Sequence, residues 1–199
     1  TVMDENFPAV ALIQNEVPRH PVRVYQGDGI GVFTAEIQFE KEQDIAFGST
    51  VLEWFRVGGF DQLIIIDGIL KPEKQIQGEG LFAVGANAVA RDRLKSLDLQ
   101  TIQRGIVSGI TGFLLSEGDR LNLDITALLS EASPMYPDVR AAAVAIEAIT
   151  EMTGREIPLS AMLENARSIE QSVQEIIESA TPLLPSPDDD DTINDPSFG

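Results

Sequence analysis

The sequence predicts an α/β fold with a mostly parallel sheet flanked by helices. Strand-like and helix-like segments alternate from Asp44 onward, a pattern typical of parallel strands joined by helices. A continuous aliphatic run at Leu63–Ile66 is typical of a central strand buried on both faces. At 199 residues, the chain is long enough for one hydrophobic core and short for two.

Short β-type runs precede Asp44 and are separated by turn residues. Asp28-Gly29 is a common turn pair, and Pro18–Pro21 interrupts the first run. We therefore expect three early strands that add an antiparallel portion to the sheet: Pro8–Ile13, Val22–Tyr25 and Gly31–Phe39.

The next segments carry helix start and stop signals. Asp44 is a good N-cap for a helix to about Val57, which Gly58-Gly59 would end. After the strand at Leu63–Ile66, the polar segment Lys71–Gly80 predicts a loop. Three further strands and two helices are predicted to alternate: Leu81–Val84, Ala88–Ser96, Ile102–Val107, Ile110–Glu117 and Asn122–Leu129.

Two helices are predicted to close the folded part. Asp138 caps an alanine-rich helix to about Met152, and Ser160 caps a second helix to about Ser179. Apolar residues of the last helix recur at spacings of 4, 3, 4 and 3. This seam, typical of a coiled-coil-like contact, predicts either an oligomer interface or part of the core. Its residues are Met162, Ala166, Ile169, Val173 and Ile176.

The domain plan is one α/β domain over residues 1–180 and an acidic tail over residues 181–199. Three prolines, an aspartate run at Asp188–Asp191 and Pro196 make the tail a low-complexity segment. Such a composition buries too little apolar surface to fold, so we expect the tail to be disordered.

Composition disfavours several classes of function. The net charge is −18, and −13 remains without the five tail aspartates, so the surface repels nucleic-acid phosphates. The sequence has no cysteine and no apolar run near the ~20 residues of a membrane span. We expect a cytoplasmic protein without a cofactor or metal. Many carboxylates with few lysines also favour adaptation to a salty cytoplasm.

Seven stretches, taken in order from about Phe7 to Ile177, resemble the archaeal branch of the proteasome-assembly-chaperone family. They are Phe7–Val10, His20–Tyr25, Ile64–Ile69, Gly105–Gly112, Leu128–Ala132, Pro137–Ala143 and Leu163–Glu170. The resemblance implies a nucleoside-phosphorylase-like fold, a homo-oligomer (trimer or tetramer) and binding to proteasome α subunits. Some members carry an ATP-grasp-like label, to which no established reaction belongs.

The chain departs from that family at both ends. Members usually begin with a strand, a glycine-rich turn and a helix, so we expect this sequence to start inside the family domain. Archaeal members can end in a hydrophobic-Tyr-any tripeptide that enters pockets on the α ring. Here the last residues are Ser197, Phe198 and Gly199, and we take them as candidate partner-binding residues.

The predicted function is a non-enzymatic chaperone that assists assembly of the 20S proteasome. The single histidine, His20, has no nucleophile or acid placed beside it by the sequence. The alternative is a nucleotide- or nucleoside-binding enzyme, since glycines before a helix can cradle a phosphate. The candidate loop contains Gly105, Ser108, Gly109 and Gly112, although it lacks the lysine of a P-loop and is also compatible with close packing of the helix start.

Overall fold

The computed structural model describes residues 10–37, 39–70, 80–132 and 138–160. These residues form seven strands and four α-helices in chain order. The strands are β1 (Leu12–Gln14), β2 (Val17–Arg19), β3 (Val22–Gly27), β4 (Ile30–Ala35), β5 (Leu63–Leu70), β6 (Leu81–Gly85) and β7 (Ile125–Ala132). The helices are α1 (Asp44–Val57), α2 (Ala88–Ser96), α3 (Gly109–Leu121) and α4 (Val139–Thr153). The predicted mixed α/β class is confirmed.

The described central sheet has three strands in the order β5-β7-β6. β5 and β7 are parallel, whereas β6 and β7 are antiparallel. Parallel pairing therefore does not dominate among the described strands, and the expected mostly parallel sheet is not confirmed. The likeness to nucleoside phosphorylases stays a prediction.

The central strand is β7, and the assignment of Leu63–Ile66 to a strand buried on both faces is wrong. β7 is buried over seven of its eight residues because it has a neighbour on each side. β5 has one neighbour among the described strands, and it leaves Ile66 50% and Leu70 74% exposed. An aliphatic run by itself does not distinguish these two positions in a sheet.

Helices cover both faces of the sheet. On one face, α1 and α3 pack together over Ile125, Ala127 and Leu129 of β7. On the other, Leu128 packs with Leu94 of α2 and Ala148 of α4. Complete burial of one such leucine stabilises the fold by about 1.5–3 kcal/mol. Among the described residues, no helix combines the length and apolarity needed to span a bilayer.

Two hairpins precede the sheet. β1 and β2 are joined by Asn15 and Glu16, which both have positive φ, so the segment from Pro18 continues as a strand instead of interrupting one. β3 and β4 are joined by Asp28 and Gly29, also with positive φ, and this confirms the predicted turn. Tight two-residue turns of this kind match the twist of the paired strands.

Helix boundaries lie close to the predicted ones. α1 runs from Asp44 to Val57 and α2 from Ala88 to Ser96. The N-cap of α1 is Gln43, however, and the predicted cap Asp44 is its first helical residue. The Asp138 side chain accepts a hydrogen bond from the Ala141 amide at 3.1 Å, which satisfies a free N–H of the first turn of α4. α4 ends at Thr153, and its C-cap Gly154 has a φ of +66°.

Two predicted elements differ from the structure. Residues 102–107 form no strand, because the chain makes one bridge at Thr101 to Ala83 and then leaves the sheet through an exposed loop. α3 extends to Leu121 and ends in the left-handed residue Asn122, so β7 begins three residues later than predicted.

Several predictions fall outside the described residues. They concern most of the loop Lys71–Gly80, the start of the first strand and everything after Ser160. The latter includes the seam of Met162, Ala166, Ile169, Val173 and Ile176, and the terminal Ser197, Phe198 and Gly199.

Candidate partner-binding surface

The glycine segment before α3 is a packing device. Gly109 has a φ of +69° and starts the helix, with Ser108 as its N-cap. A Cβ added at Gly112 would lie 2.9 Å from the carbonyl carbon of Val107 and closer still to its oxygen. The first turn of α3 therefore approaches the preceding loop more closely than any side chain would allow. Gly105 is less confined, with Ile102 Cγ2 3.3 Å from the position of an added Cβ.

Carboxylates already lie beside this helix start. Thr111 Oγ1 donates to Asp67 Oδ2 at 2.6 Å, and Asp67 Oδ1 accepts from the Gly68 amide at 2.8 Å. Asp44 Oδ2 lies 3.8 Å from the position of an added Cβ at Gly109. Because these anions face the positive end of the α3 dipole, they would repel a phosphate from the same place. The geometry thus favours the packing interpretation of the loop over the phosphate-binding one.

Neither a metal centre nor a histidine-based site is assembled in the described part of the chain. In it, no group of three or more His, Cys, Asp or Glu side chains could hold a metal ion. His20 Nδ1 lies 3.3 Å from the Val22 amide nitrogen, from which it accepts a hydrogen bond, and 3.1 Å from the Val22 carbonyl oxygen. His20 therefore belongs to the turn that leads into β3.

Exposed apolar side chains mark the same end of the molecule. Ile106, in the loop before α3, is 96% exposed, and Ile45, in the first turn of α1, is 65% exposed. Asp44, the neighbour of Ile45, lies beside the start of α3 at Gly109, three residues after Ile106. Thr111 at the same helix start is hydrogen-bonded to Asp67 of β5. We call Ile45, Ile106, Asp44 and Asp67 the carboxyl-end surface. Exposed isoleucines and carboxylates at one end of the molecule can contact a partner surface that carries apolar and basic groups.

A shallow groove of about 560 Å³ lies between α1 and α3. The Phe113 ring packs directly against Gly48, where an added Cβ would lie 2.5 Å from the ring. Arg120 Nε donates to Glu117 Oε1 at 3.0 Å, and this hydrogen bond lowers the pKa of Glu117. The groove is lined by Ser49, Leu52, Glu53, Arg56, Val57, Phe113 and Glu117.

Comparison with known proteins assigns the family. The family model described as "PAC2 family" matches residues 1–177 of this chain. The chain belongs to the PAC2 family. The resemblance to proteasome assembly chaperones predicted from the seven stretches is thereby confirmed.

Similar PAC2-like folds are known from archaea. The chain is similar to Pyrococcus furiosus PbaA, described as an archaeal homolog of proteasome-assembly chaperone, with a TM-score of 0.80 and 23% identity over 91% of this chain and 76% of that one. For Pyrococcus furiosus PbaB, described as an archaeal proteasome activator, the TM-score is 0.69 with 21% identity, over 86% and 78% of the two chains. An uncharacterized Methanocaldococcus jannaschii protein, MJ0106, is 22% identical over 181 residues, 86% of this chain and 70% of its own length. At these identities, the two solved structures establish a shared fold.

The sequence alone did not indicate the carboxyl-end surface of this PAC2 chain. Ile106 was assigned to a strand, although the neighbouring Arg104 and Gly105 were a usable sign of an exposed loop. Ile45 is an apolar residue of α1, yet it points to solvent. The exposure of both residues depends on distant contacts, which decide the path of the loop and the buried face of the helix.

Proposed function

We propose that this PAC2 family chain is a non-enzymatic chaperone that binds proteasome α subunits and assists 20S proteasome assembly. The observation that carries the proposal is the family match over residues 1–177. It is supported by the description of PbaA, a protein of the same fold, as a homolog of proteasome-assembly chaperone. The packed glycine segment and the carboxylates beside it give a nucleotide-binding alternative no geometric support.

Two contacts with the α subunits are open to test. The terminal Ser197, Phe198 and Gly199 would dock by ring burial and capture of the carboxylate. Burial of one phenylalanine contributes about 1.5–3 kcal/mol, so a single tail binds weakly and several tails on one oligomer would be needed for avidity. The carboxyl-end surface would provide the second contact, through Ile45 and Ile106.

The test is binding to purified proteasome α subunits. We would compare the wild type, Phe198→Ala, a deletion after Ser186, and Ile106→Ser. Val89→Ser is the matched control, because Val89 is 59% exposed on α2, outside the carboxyl-end surface. A loss in either tail variant assigns the contact to the tail, and a loss in Ile106→Ser assigns it to the folded domain. Absence of binding by the wild type would refute the proposed function.

The proposal includes a homo-oligomer of three or four chains in the cytoplasm. The unpaired outer edge of β5 among the described strands supports it, because an exposed apolar edge tends to pair with another chain. Light scattering of the wild type would measure the mass. A monodisperse monomer would rule out the oligomer while leaving chaperone activity testable.

A further inference from the structure

The β3–β4 hairpin has two unlike faces. On the inner face, the Phe33 ring lies 5.3 Å from Phe47 and 5.6 Å from Trp54, between ring centroids. The opposite face, called here the outer face, carries two cross-strand pairs: Arg23 with Thr34, and Tyr25 with Val32. Tyr25 and Val32 are 51% and 46% exposed. The outer face therefore combines an aromatic and an aliphatic contact area with a guanidinium.

The polar atoms of the outer face need an acceptor. Nε and Nη1 of Arg23 and Oγ1 of Thr34 are shielded from solvent without a hydrogen-bond partner. The remaining Nη2 of Arg23 pairs with Glu36, and the Arg23 guanidinium lies 6.0 Å from the centre of the Tyr25 ring. N–H donors of a charged group that are shielded from water and lack an acceptor lower the stability of the folded state. A carboxylate brought to this face would satisfy them.

The chain leaving α4 reaches this hairpin. Arg155, next to the Gly154 C-cap, donates through Nη1 to the carbonyl oxygen of Asp28 at 2.5 Å. Its Nη2 lies 3.0 Å from the position of an added Cβ at Gly29. Arg155 thus fixes the chain at the hairpin tip, five residues before Ser160.

The sequence after Ser160 fits this face in length, polarity and charge. Residues 162–176 carry the seam, and as a helix they would be about 22 Å long, against about 20 Å for a six-residue strand. Residues 161–199 contain nine carboxylates and one arginine, a net charge of −8. Glu170 follows Ile169 of the seam, so it would lie at the margin of the apolar stripe.

We propose that residues 162–176 dock as an amphipathic helix along the outer face of the β3–β4 hairpin of the same chain. The apolar seam covers Tyr25 and Val32, and the carboxylate of Glu170 pairs with the free donors of Arg23. This contact goes beyond the chaperone role and does not depend on it. It sets the place where residues 181–199 leave the folded domain, at the β3–β4 hairpin.

Disulfide trapping tests the proposal directly, because the natural sequence has no cysteine. The double variant Val32→Cys with Ile169→Cys should form an intrachain disulfide under mild oxidation, seen as a faster-migrating monomer on a non-reducing gel. A disulfide requires Cα atoms within about 7 Å, so the bond reports close approach. Val32→Cys with Gln171→Cys is the matched control, since Gln171 lies opposite the seam on a helix.

Each outcome decides the question. Trapping of the Ile169 pair well above the Gln171 pair supports docking. Equal or absent trapping overturns it, and a disulfide-linked dimer also overturns it by placing the segment on a second copy. A second measurement is hydrogen exchange of the full chain. Ile169→Asp should speed exchange in β3 and β4 with β7 unchanged, whereas Gln171→Asp should not; unchanged exchange in the Ile169 variant would contradict the proposal.

Discussion

Gly112 offers a sharp test of the packing role of the glycine segment. An added methyl group at this position would lie 2.9 Å from the carbonyl carbon of Val107, against an optimal carbon–carbon separation of about 3.5–4.0 Å. Because the Val107 carbonyl group is part of the backbone, either the loop or the helix must shift by more than about half an ångström to remove the overlap. Overpacking of this kind costs about 1–3 kcal/mol.

Helix propensity acts in the opposite direction. Replacing glycine by alanine inside a helix is worth about 1 kcal/mol, and Gly112 lies within α3. Since the clash involves backbone, we expect its cost to fall in the upper part of the range and the net loss of unfolding free energy to be about 1–2 kcal/mol. In a domain of this size that loss lowers Tm by about 2–8 °C.

The assay is urea and thermal unfolding of the wild type and Gly112→Ala, followed by circular dichroism. Gly27→Ala is the control, because the same methyl group at Gly27 meets no atom within 4 Å. It should leave stability unchanged or raise it by up to about 1 kcal/mol. A Gly112→Ala protein as stable as the wild type, or more stable, would refute the packing role and reopen the ligand-binding interpretation of the loop.

Three further predictions concern charge. Asp124 forms a bidentate pair with Arg93, in which one N–O distance is 2.5 Å. Asp124→Asn weakens this pair and should lower the free energy of unfolding in urea titrations by about 1.5–3 kcal/mol. Asp92→Asn, at an exposed pair with Lys95, should change it by less than about 1 kcal/mol, and equal losses in the two variants would contradict the prediction. Tm should rise from low to molar KCl as the Debye length falls from about 30 Å to about 3 Å; a constant Tm would contradict adaptation to salt. Because the pKa of Glu117 is lowered in the folded state, its stabilising effect is present above its unfolded pKa of about 4.3 and lost as pH falls through the folded value. The stability difference between wild type and Glu117→Gln should therefore disappear in acid, and a difference independent of pH would argue against the pair.

Local signals in the sequence were sufficient for several elements. The bounds of α1 followed from a start signal and a stop signal within one short segment, although its N-cap is Gln43 and not the predicted Asp44. Asp138 as N-cap and Asp28-Gly29 as a turn were likewise predictable, because each depends on the backbone conformation of a few neighbouring residues. The family, too, was evident from short stretches in order along the chain.

The candidate surface was less predictable. The glycines before α3 suggested either a phosphate loop or a packed helix start, and the sequence left both open. Val107 and the Asp67 carboxylate decided between them, since their positions exclude a side chain at Gly112 and place a negative charge by Thr111. The exposure of Ile106 was not predictable from its aliphatic neighbours, which resemble those of a strand.

The sequence by itself determined which segments become helices, and that the protein is acidic and belongs to the PAC2 family. These properties depend on residues close in the chain, or on composition. Tertiary structure alone decided that β7 and not β5 lies in the middle of the described sheet, that β6 runs antiparallel to it, and that the starts of α1 and α3 bring Asp44 beside Gly109. The physical reason is that strand order and helix placement depend on which residues, far apart in the sequence, are buried against each other. No local sequence pattern contains that information.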